Sequence, residues 1–330
     1  MAKKSAEEAA AAKDEVGDDE EETAPTQCEE EWLAAKFRSM WRRYLAPCGV
    51  TFDQTTSIPA MRHVNPASDC SAKAMDTLQI MSVKVAAING GLHWPLQDCY
   101  LALEGPTHAI VVSYDPTYLE VSLKVKGATE SDDKDLSALV VVFRAGACPQ
   151  SVFPSRLSTL EINFDHIYRS VEATVFIRII GGSWPDGFRG VFSAASSRDD
   201  TLQVKLLDFE DGGLPVDANG VITLTRRVVS AALQRNLKVS VMAFPINEGY
   251  AAKTSEAVLQ PHRAGVSPPG VNLCIGSCSM EWYCGICSIG VCKKPVPSFV
   301  LVISQELRKV DSSSLTFQPS ARLLVTTHEV

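Results

Sequence analysis

Apolar and polar residues alternate along most of the chain after residue 76. In YLEVSLKVKG, for example, the apolar side chains are Leu119, Val121, Leu123 and Val125, and the residues between them are polar. This period of two is typical of a strand with one buried face and one solvated face. The segments with this pattern are TLQIMSVKVAAI, HAIVVSY, YLEVSLKVKG, ALVVVFR, STLEINF, RSVEATVFIRII, FRGVFSA, LQVKLLDF, VITLTRRVV and LKVSVMAF. Turn clusters rich in glycine, proline and aspartate separate them, which predicts a mainly β protein with a single antiparallel β-sandwich-like domain over 77–283.

The residues before this region follow other patterns. Residues 28–45, CEEEWLAAKFRSMWRRYL, predict an amphipathic helix, since glutamates open the segment and arginines close it, as the helix dipole favours. The apolar positions of that helix fall near one face and are Trp32, Leu33, Phe37, Met40, Trp41 and Tyr44. Residues 46–76, with prolines and small polar residues, predict an extended connector. Residues 1–27 predict a disordered acidic tail, because they contain too little apolar surface to fold.

The net charge of −8 is unevenly distributed. Residues 1–31 contain 12 acidic and 3 basic side chains, which leaves 27 acidic and 28 basic side chains for the remainder. A body that is close to neutral makes generic nucleic-acid binding unfavourable. No apolar run reaches the roughly 20 residues of a membrane helix, and the N-terminus lacks the apolar segment of a secretory signal. We therefore expect a cytoplasmic or nuclear protein that is not secreted and does not span a membrane.

Several long segments, taken in order, resemble one family. They are TLQIMSVKV, GGLHWPL, DCYLALEGPTHAIVVSYDPTYLEVSLKVKGATESDDKDLS, STLEINFDHIYRSVEATVFIRIIGGSWPDGFRGVFSA, LPVDANGVITLTRRVVS and the GSCSM near residue 276. Together they resemble the plant domain-of-unknown-function family 6598, which is abundant in cereal grasses. The resemblance implies a cytosolic β-rich module, found alone or fused to ribosome-inactivating N-glycosidase domains and associated with stress or defence. It implies no activity for the module itself.

The chain differs from that family in two places. The motif Trp-Pro-Leu ending at Leu96 is followed almost directly by Cys99, where relatives carry an additional segment. Relatives end with one last strand soon after the motif at GSCSM, whereas this chain continues from Tyr283 to residue 330. Residues 284–330 are therefore interpreted as an atypical cysteine-containing C-terminal extension.

The fused relatives suggest a test for N-glycosidase chemistry. By the resemblance, that chemistry uses a helical E-A-x-R motif, and the nearest string here is SVEATVFIR. Its period is two, so Glu172 and Arg178 would lie on one strand face about 20 Å apart and would not act on one substrate. The chain also lacks a glycine-rich phosphate loop and a nucleophile elbow.

We therefore predict a non-enzymatic interaction module that binds an unknown protein or small ligand. Two alternatives stay open. One is a protein related to the ribosome-inactivating N-glycosidases, and the other is a β-sandwich that binds carbohydrate or another small ligand. An exposed Trp94, Trp184 or Tyr114 on a concave face or loop end would favour the second alternative.

The turn GGSWPDGFRG, residues 181–190, is the candidate binding site. Its glycines and its Pro-Asp-Gly sequence predict a reverse turn between two strands. In one interpretation Trp184 folds back over the end of the core, and we favour this structural role. In the other, Trp184 is the platform of a surface pocket, with Asp186 and Arg189 as polar contacts.

Cysteines are crowded near the C-terminal end of the family-like region. The spacing of Cys284 and Cys287 is that of a zinc knuckle, so Cys278, Cys284, Cys287 and Cys292 are candidate ligands of one zinc ion. The remaining spacings are irregular for such a site, and Cys278 belongs to a strand motif. We therefore favour reduced, unbound thiols and predict no cofactor, with zinc as the alternative.

Overall fold

The fold was analysed in a computed structural model of the chain. The structure describes residues 29–44, 74–88, 100–101, 103–106, 109–112, 117–126, 134–143, 151–196, 202–210, 213–246, 251–267, 271–287, 301–310 and 314–327. The predicted tail over 1–27 and residues 46–73 of the predicted connector lie outside these ranges. So do Trp94, Tyr114 and Cys292.

The described residues form one helix and a series of strands. The elements are α1 (Glu29–Tyr44), β1 (Met75–Ile88), β2 (Leu103–Glu104), β3 (Ile110–Val111), β4 (Thr117–Lys126), β5 (Lys134–Phe143), β6 (Val152–Pro154), β7 (Ser158–Gly181), β8 (Phe188–Ala195), β9 (Val204–Phe209), β10 (Val228–Ala232), β11 (Leu237–Pro245), β12 (Lys253–Leu259), β13 (Gly265–Val266), β14 (Val271–Ile275), β15 (Cys278–Cys287), β16 (Leu301–Val310) and β17 (Ser314–Thr327). The predicted mainly β class with an N-terminal helix is confirmed. No helix among these elements is long and apolar enough to cross a membrane.

Strand β7, with 24 residues, is the axis of the largest sheet. Its first half pairs with β1 and β6, and its second half pairs with β10 and β15. In that second half, Thr174 pairs with both strands, since it faces Val228 of β10 on one edge of β7 and Gly285 of β15 on the other. The two predicted strands STLEINF and RSVEATVFIRII are therefore a single strand. Arg169, with φ of 49°, marks the irregularity between them.

Buried apolar side chains form two cores on either half of β7. The amino-terminal core contains side chains of β1, β3, β4, β5, β6 and the first half of β7, among them Val83, Leu119, Leu139 and Ile162. The carboxy-terminal core lies between the second half of β7 with β10, β14 and β15 and the sheet β12-β11-β8-β9. Trp282 and Phe192 are the largest side chains fully buried there. The two facing sheets around this second core give the sandwich-like arrangement that the alternating pattern predicted.

Helix α1 packs against β5 beside the amino-terminal core. Ala34 and Phe37 are buried, and Arg38 forms an ion pair with the buried Glu120 of β4. Trp32, which the sequence placed on the apolar face, is 50% exposed. Among the α1 side chains whose burial the structure describes, Ala34 and Phe37 are therefore the ones that enter the core.

The C-terminal strands join the sheet of the amino-terminal half. The strand order is β2-β17-β16-β4-β5, with a further pairing of β17 to β4. The pairs β16–β4 and β17–β2 are parallel, and they are exceptions to the otherwise antiparallel pairing of the described strands. The predicted extension over 284–330 therefore contributes strands β16 and β17 to the sheet that contains β4 and β5.

The arginine Arg226, just before β10, connects distant parts of the fold. It is almost fully buried, and its guanidinium donates to Ile80 O (2.6 Å), Met81 O (3.3 Å) and Gly105 O (3.0 Å). The carbonyls of Ile80 and Met81 lie at a register shift of β1, between Ile80 and Ser82. Burial lowers the pKa of Arg226 to about 10, so the group is still charged at neutral pH.

Candidate functional site

The turn between β7 and β8 requires glycine for two reasons. Gly182 and Gly187 have φ of 70° and 75°, a region that favours glycine. A Cβ on Gly182 would in addition lie 2.0 Å from Ser277 O, so this turn touches the hairpin turn between β14 and β15. The turn therefore belongs to a cluster of loops at one end of the carboxy-terminal core.

Trp184 is packed into that end of the core. It is partly buried, its indole Nε1 donates to Phe188 O at 2.9 Å, and its ring meets the ring of Phe209 edge-on at 5.2 Å between centroids. Gly190 makes this contact sterically feasible, because a Cβ there would lie 2.4 Å from Phe209 and 2.7 Å from Trp184. The indole ring thus packs against the core, and its single N–H donor is satisfied by a backbone carbonyl of the same turn.

Asp186 and Arg189 are exposed on the same turn. The guanidinium carbon of Arg189 lies 5.2 Å from the ring centroid of Phe244, and Lys253 Nζ lies 5.0 Å from that of Phe188. These five residues are called the loop end below. Its segments are joined by a backbone hydrogen bond from Ile246 to Gly187 O at 2.9 Å.

The loop end therefore differs from the pocket considered in the sequence analysis. The structure brings Asp186 and Arg189 to one exposed surface, while the Trp184 ring packs against Phe209. Sequence reasoning missed Phe244 and Lys253, since both lie far along the chain. A binding role for Trp184, Asp186 and Arg189 stays a prediction.

Three of the four candidate zinc ligands, Cys278, Cys284 and Cys287, lie on strand β15. Cys278 and Cys284 are both buried, and the rise of a strand places positions six residues apart about 20 Å from each other. These two thiols therefore do not meet at one ion. Burial raises the pKa of the Cys284 thiol. Burial and, second, neighbouring Cys274 raise the pKa of Cys278. Both shifts oppose the thiolate form that zinc binds.

No group of three or more metal-binding side chains occurs among the described residues. Cys287 ends β15, and nothing is described of its side chain. Cys292 lies beyond the described range, so a zinc site that uses these two cysteines stays a prediction.

The residues considered for N-glycosidase chemistry have separate contacts. Glu172 Oε2 accepts a hydrogen bond from Ala109 N at 2.8 Å, and Arg178 Nη2 donates to Glu281 at 2.9 Å. Both contacts join β7 to neighbouring segments. Glu172 and Arg178 therefore each have a partner within the sheet region, on a strand as the period-two pattern indicated.

The fold and the loop end define a mainly β protein with a sandwich-like core and an exposed cluster of charged and aromatic side chains at one end. Comparison with family models gives a match over residues 96–282 to a domain of unknown function, DUF6598, and the chain belongs to that family. No curated protein and no solved structure matches the chain. Strand β1 precedes the matched range and pairs with β7 inside it.

Proposed function

We propose that the protein is a non-enzymatic binding module whose loop end binds an acidic segment of a partner protein. The observation that supports this proposal is the pair of cations, Arg189 and Lys253, each placed over an aromatic ring. A ring face attracts a cation and limits its movement, so the side chain loses less conformational freedom when a carboxylate binds. Both residues are exposed and reachable by a partner.

The loop end is also ordered before any partner binds. Trp184 fixes one side of the turn through its hydrogen bond to Phe188 O, and the bond from Ile246 to Gly187 O fixes the other. In this proposal Trp184 positions the loop, and Arg189 and Lys253 contact the acidic segment. Asp186, an acid on the same turn, restricts the partner to segments whose carboxylates avoid it.

The setting that we propose is cytoplasmic or nuclear. We also propose a stress- or defence-associated role in plants, and this part of the proposal rests only on the family resemblance. An acidic protein segment is preferred over a sugar as ligand, because the partly buried indole of Trp184 packs against Phe209 and uses its donor within the fold.

The test measures binding of a fluorescent glutamate-rich decapeptide to the full chain by anisotropy. Arg189→Gln and Lys253→Gln should each weaken binding about three- to tenfold, and added salt should weaken it further. Asp186→Asn should strengthen binding, because a repulsive carboxylate is removed. Lys205→Gln, which alters an exposed lysine of β9, is the matched control and should leave affinity unchanged.

The proposal would be wrong if the peptide bound no better than a lysine-rich peptide of equal length. It would also be wrong if Lys205→Gln had the same effect as Arg189→Gln, because binding would then follow total charge and not the loop end.

A further inference from the structure

A cavity lies beside the second half of β7, outside the loop end. The segment from Ile222 to Arg227 is hydrogen-bonded to β7 at both ends, from Ile222 N to Ile177 O (2.9 Å) and from Val175 N to Arg227 O (2.8 Å). Between these two bonds β7 advances by two residues and the segment by five. The segment therefore arches away from the strand, and it is called the arch below. A cavity of about 140 Å³ lies at its base.

The wall of the cavity combines apolar side chains with polar ones. Val175, Phe176, Val221, Ile222 and Leu224 supply apolar surface, and Thr223, Asp217 and Arg227 supply polar groups, two of them with opposite charges. Arg227 Nε is buried, and it has no hydrogen-bond partner among the described residues. A buried N–H of a charged group without an acceptor is costly, so this atom favours a ligand oxygen at the site.

Asp217 lies in the turn before the arch, where it is exposed and held in a fixed orientation. Its Oδ1 accepts hydrogen bonds from Asn219 N (2.8 Å) and Val221 N (2.9 Å), which close the turn DANG. Within the described part of the chain, no ion pair joins Asp217 to Arg227. The cavity is thus lined by a carboxylate and a guanidinium that are not paired with each other.

We infer that this cavity binds a small zwitterion, an α-amino acid with a short aliphatic side chain. A guanidinium binds a carboxylate through parallel N–H donors, so Arg227 takes the carboxylate of the ligand. Asp217 takes the ammonium group, and the apolar wall takes the aliphatic side chain. The volume agrees with this class, since a protein cavity of about 150 Å³ accommodates benzene.

L-Valine and its two singly charged analogues form a matched set of probes for calorimetry on the full chain. Isovalerate keeps the carboxylate and the branched chain, and isobutylamine keeps the ammonium and the branched chain. We expect L-valine to bind with a Kd on the order of 1 mM and each analogue to bind at least about tenfold more weakly. Equal affinity for isovalerate, or no heat of binding with about 50 mM L-valine, would overturn the inference.

Two variants assign the charges within the cavity. Arg227→Met should weaken L-valine about tenfold and leave isobutylamine unchanged. Asp217→Asn should weaken L-valine to a similar extent and leave isovalerate unchanged, and its amide oxygen can still accept the two turn hydrogen bonds. If Arg227→Met does not fold, Arg227→Lys replaces it and should weaken L-valine through loss of the planar fork. Unchanged L-valine affinity in either charge-removing variant would overturn the assignment.

Arg235→Met is the control for removal of an arginine elsewhere, and it should bind L-valine like the parent chain. Arg189→Gln at the loop end should also leave L-valine binding unchanged. The amino-acid cavity and the acidic-peptide site are therefore tested independently, and either proposal can be refuted without the other.

Discussion

Replacing Trp184 by alanine tests whether the turn of residues 181–190 closes the carboxy-terminal core. The substitution removes an indole that contacts Phe209 edge-on and Phe192 at 6.0 Å between ring centroids. It also removes the donor to Phe188 O. All three contacts lie within one loop and the core beneath it, so the loss is expected to appear in the stability of this half of the fold.

The magnitude follows from the area and the hydrogen bond that are lost. A large aromatic side chain in a full core costs about 3–5 kcal/mol on truncation. Trp184 is only partly buried, so we take about 120 Å² of lost apolar contact, which corresponds to about 3 kcal/mol. Phe188 O can reach water once the indole is gone, so the hydrogen bond adds less than about 1 kcal/mol. The expected loss is about 3–4 kcal/mol.

Urea unfolding followed by circular dichroism measures this loss without depending on tryptophan fluorescence. Trp184→Phe is the matched control, because it keeps an aromatic ring and removes only the donor and part of the area. It should cost about 1 kcal/mol. If the unfolding curve of Trp184→Ala coincided with that of the parent chain, the indole would not be packed, and its role as a binding platform would become the better interpretation.

Three further predictions concern other contacts. Gly190→Ala should cost more than about 2 kcal/mol in urea unfolding, because its Cβ would lie 2.4 Å from Phe209, and Phe209→Leu in the same chain should recover part of the loss. Arg226→Met should cost about 2–4 kcal/mol by the same assay, since the buried Ile80 carbonyl and the partly buried carbonyls of Met81 and Gly105 lose their donors. Burial raises the pKa of Cys284, so its unfolded thiol ionises first and stability should fall above about pH 8.5, by up to about 1.4 kcal/mol per pH unit. Cys284→Ala should reduce that slope, and Cys274, which is exposed, should react with a thiol reagent before Cys284.

The strands that sequence predicts well are those with a regular row of apolar side chains. In strands β4 and β11 the apolar residues at alternate positions, such as Val121 and Val239, are buried as the pattern predicts. The pattern did not predict that Glu120 and Ser240, on the polar faces of these strands, are buried as well. Strand β12, KTSEAVL, was missed because only its second half contains apolar residues. It lies at the edge of its sheet, where one side of the strand has no neighbour in the ladder and the requirement for apolar side chains is weaker.

The length of β7 could not be predicted for a different reason. The segment around Arg169 contains charged and aromatic residues that resemble a turn, and sequence reasoning divided the strand there. The irregularity is held by tertiary contacts, because Arg169 N donates to Asp76 Oδ1 at 3.0 Å and Leu233 N donates to Arg169 O at 3.2 Å. Both partners lie far from Arg169 in sequence, so no local pattern reveals that the strand continues.

The candidate site was predictable only in part for the same reason. Turn chemistry located Asp186 and Arg189, since both lie in one local motif. Lys253 joins them only because β11 and β12 bring a distant loop to the same end of the core. The cavity at the arch is another such case. VITLTRRVV alternates like a strand, yet Thr225 and Arg226 leave β7 and only the last residues of the segment enter β10.

The two neighbouring arginines of the arch have separate roles that can be tested together. Arg226 N and Thr225 Oγ1 both donate to Leu206 O of β9, at 2.9 and 2.8 Å, and the Arg226 guanidinium reaches β1 and Gly105. The outer part of the arch is therefore positioned by β9 and β1, while its ends are fixed on β7. Arg227 lines the cavity but takes no part in that support. Arg226→Met should consequently weaken L-valine and isovalerate by the same factor, because the arch shifts as a unit. Arg227→Met should weaken only ligands that carry a carboxylate and should spare isobutylamine. If Arg226→Met instead spared isobutylamine as Arg227→Met does, Arg226 would contact the ligand itself and would not act as a positioning residue.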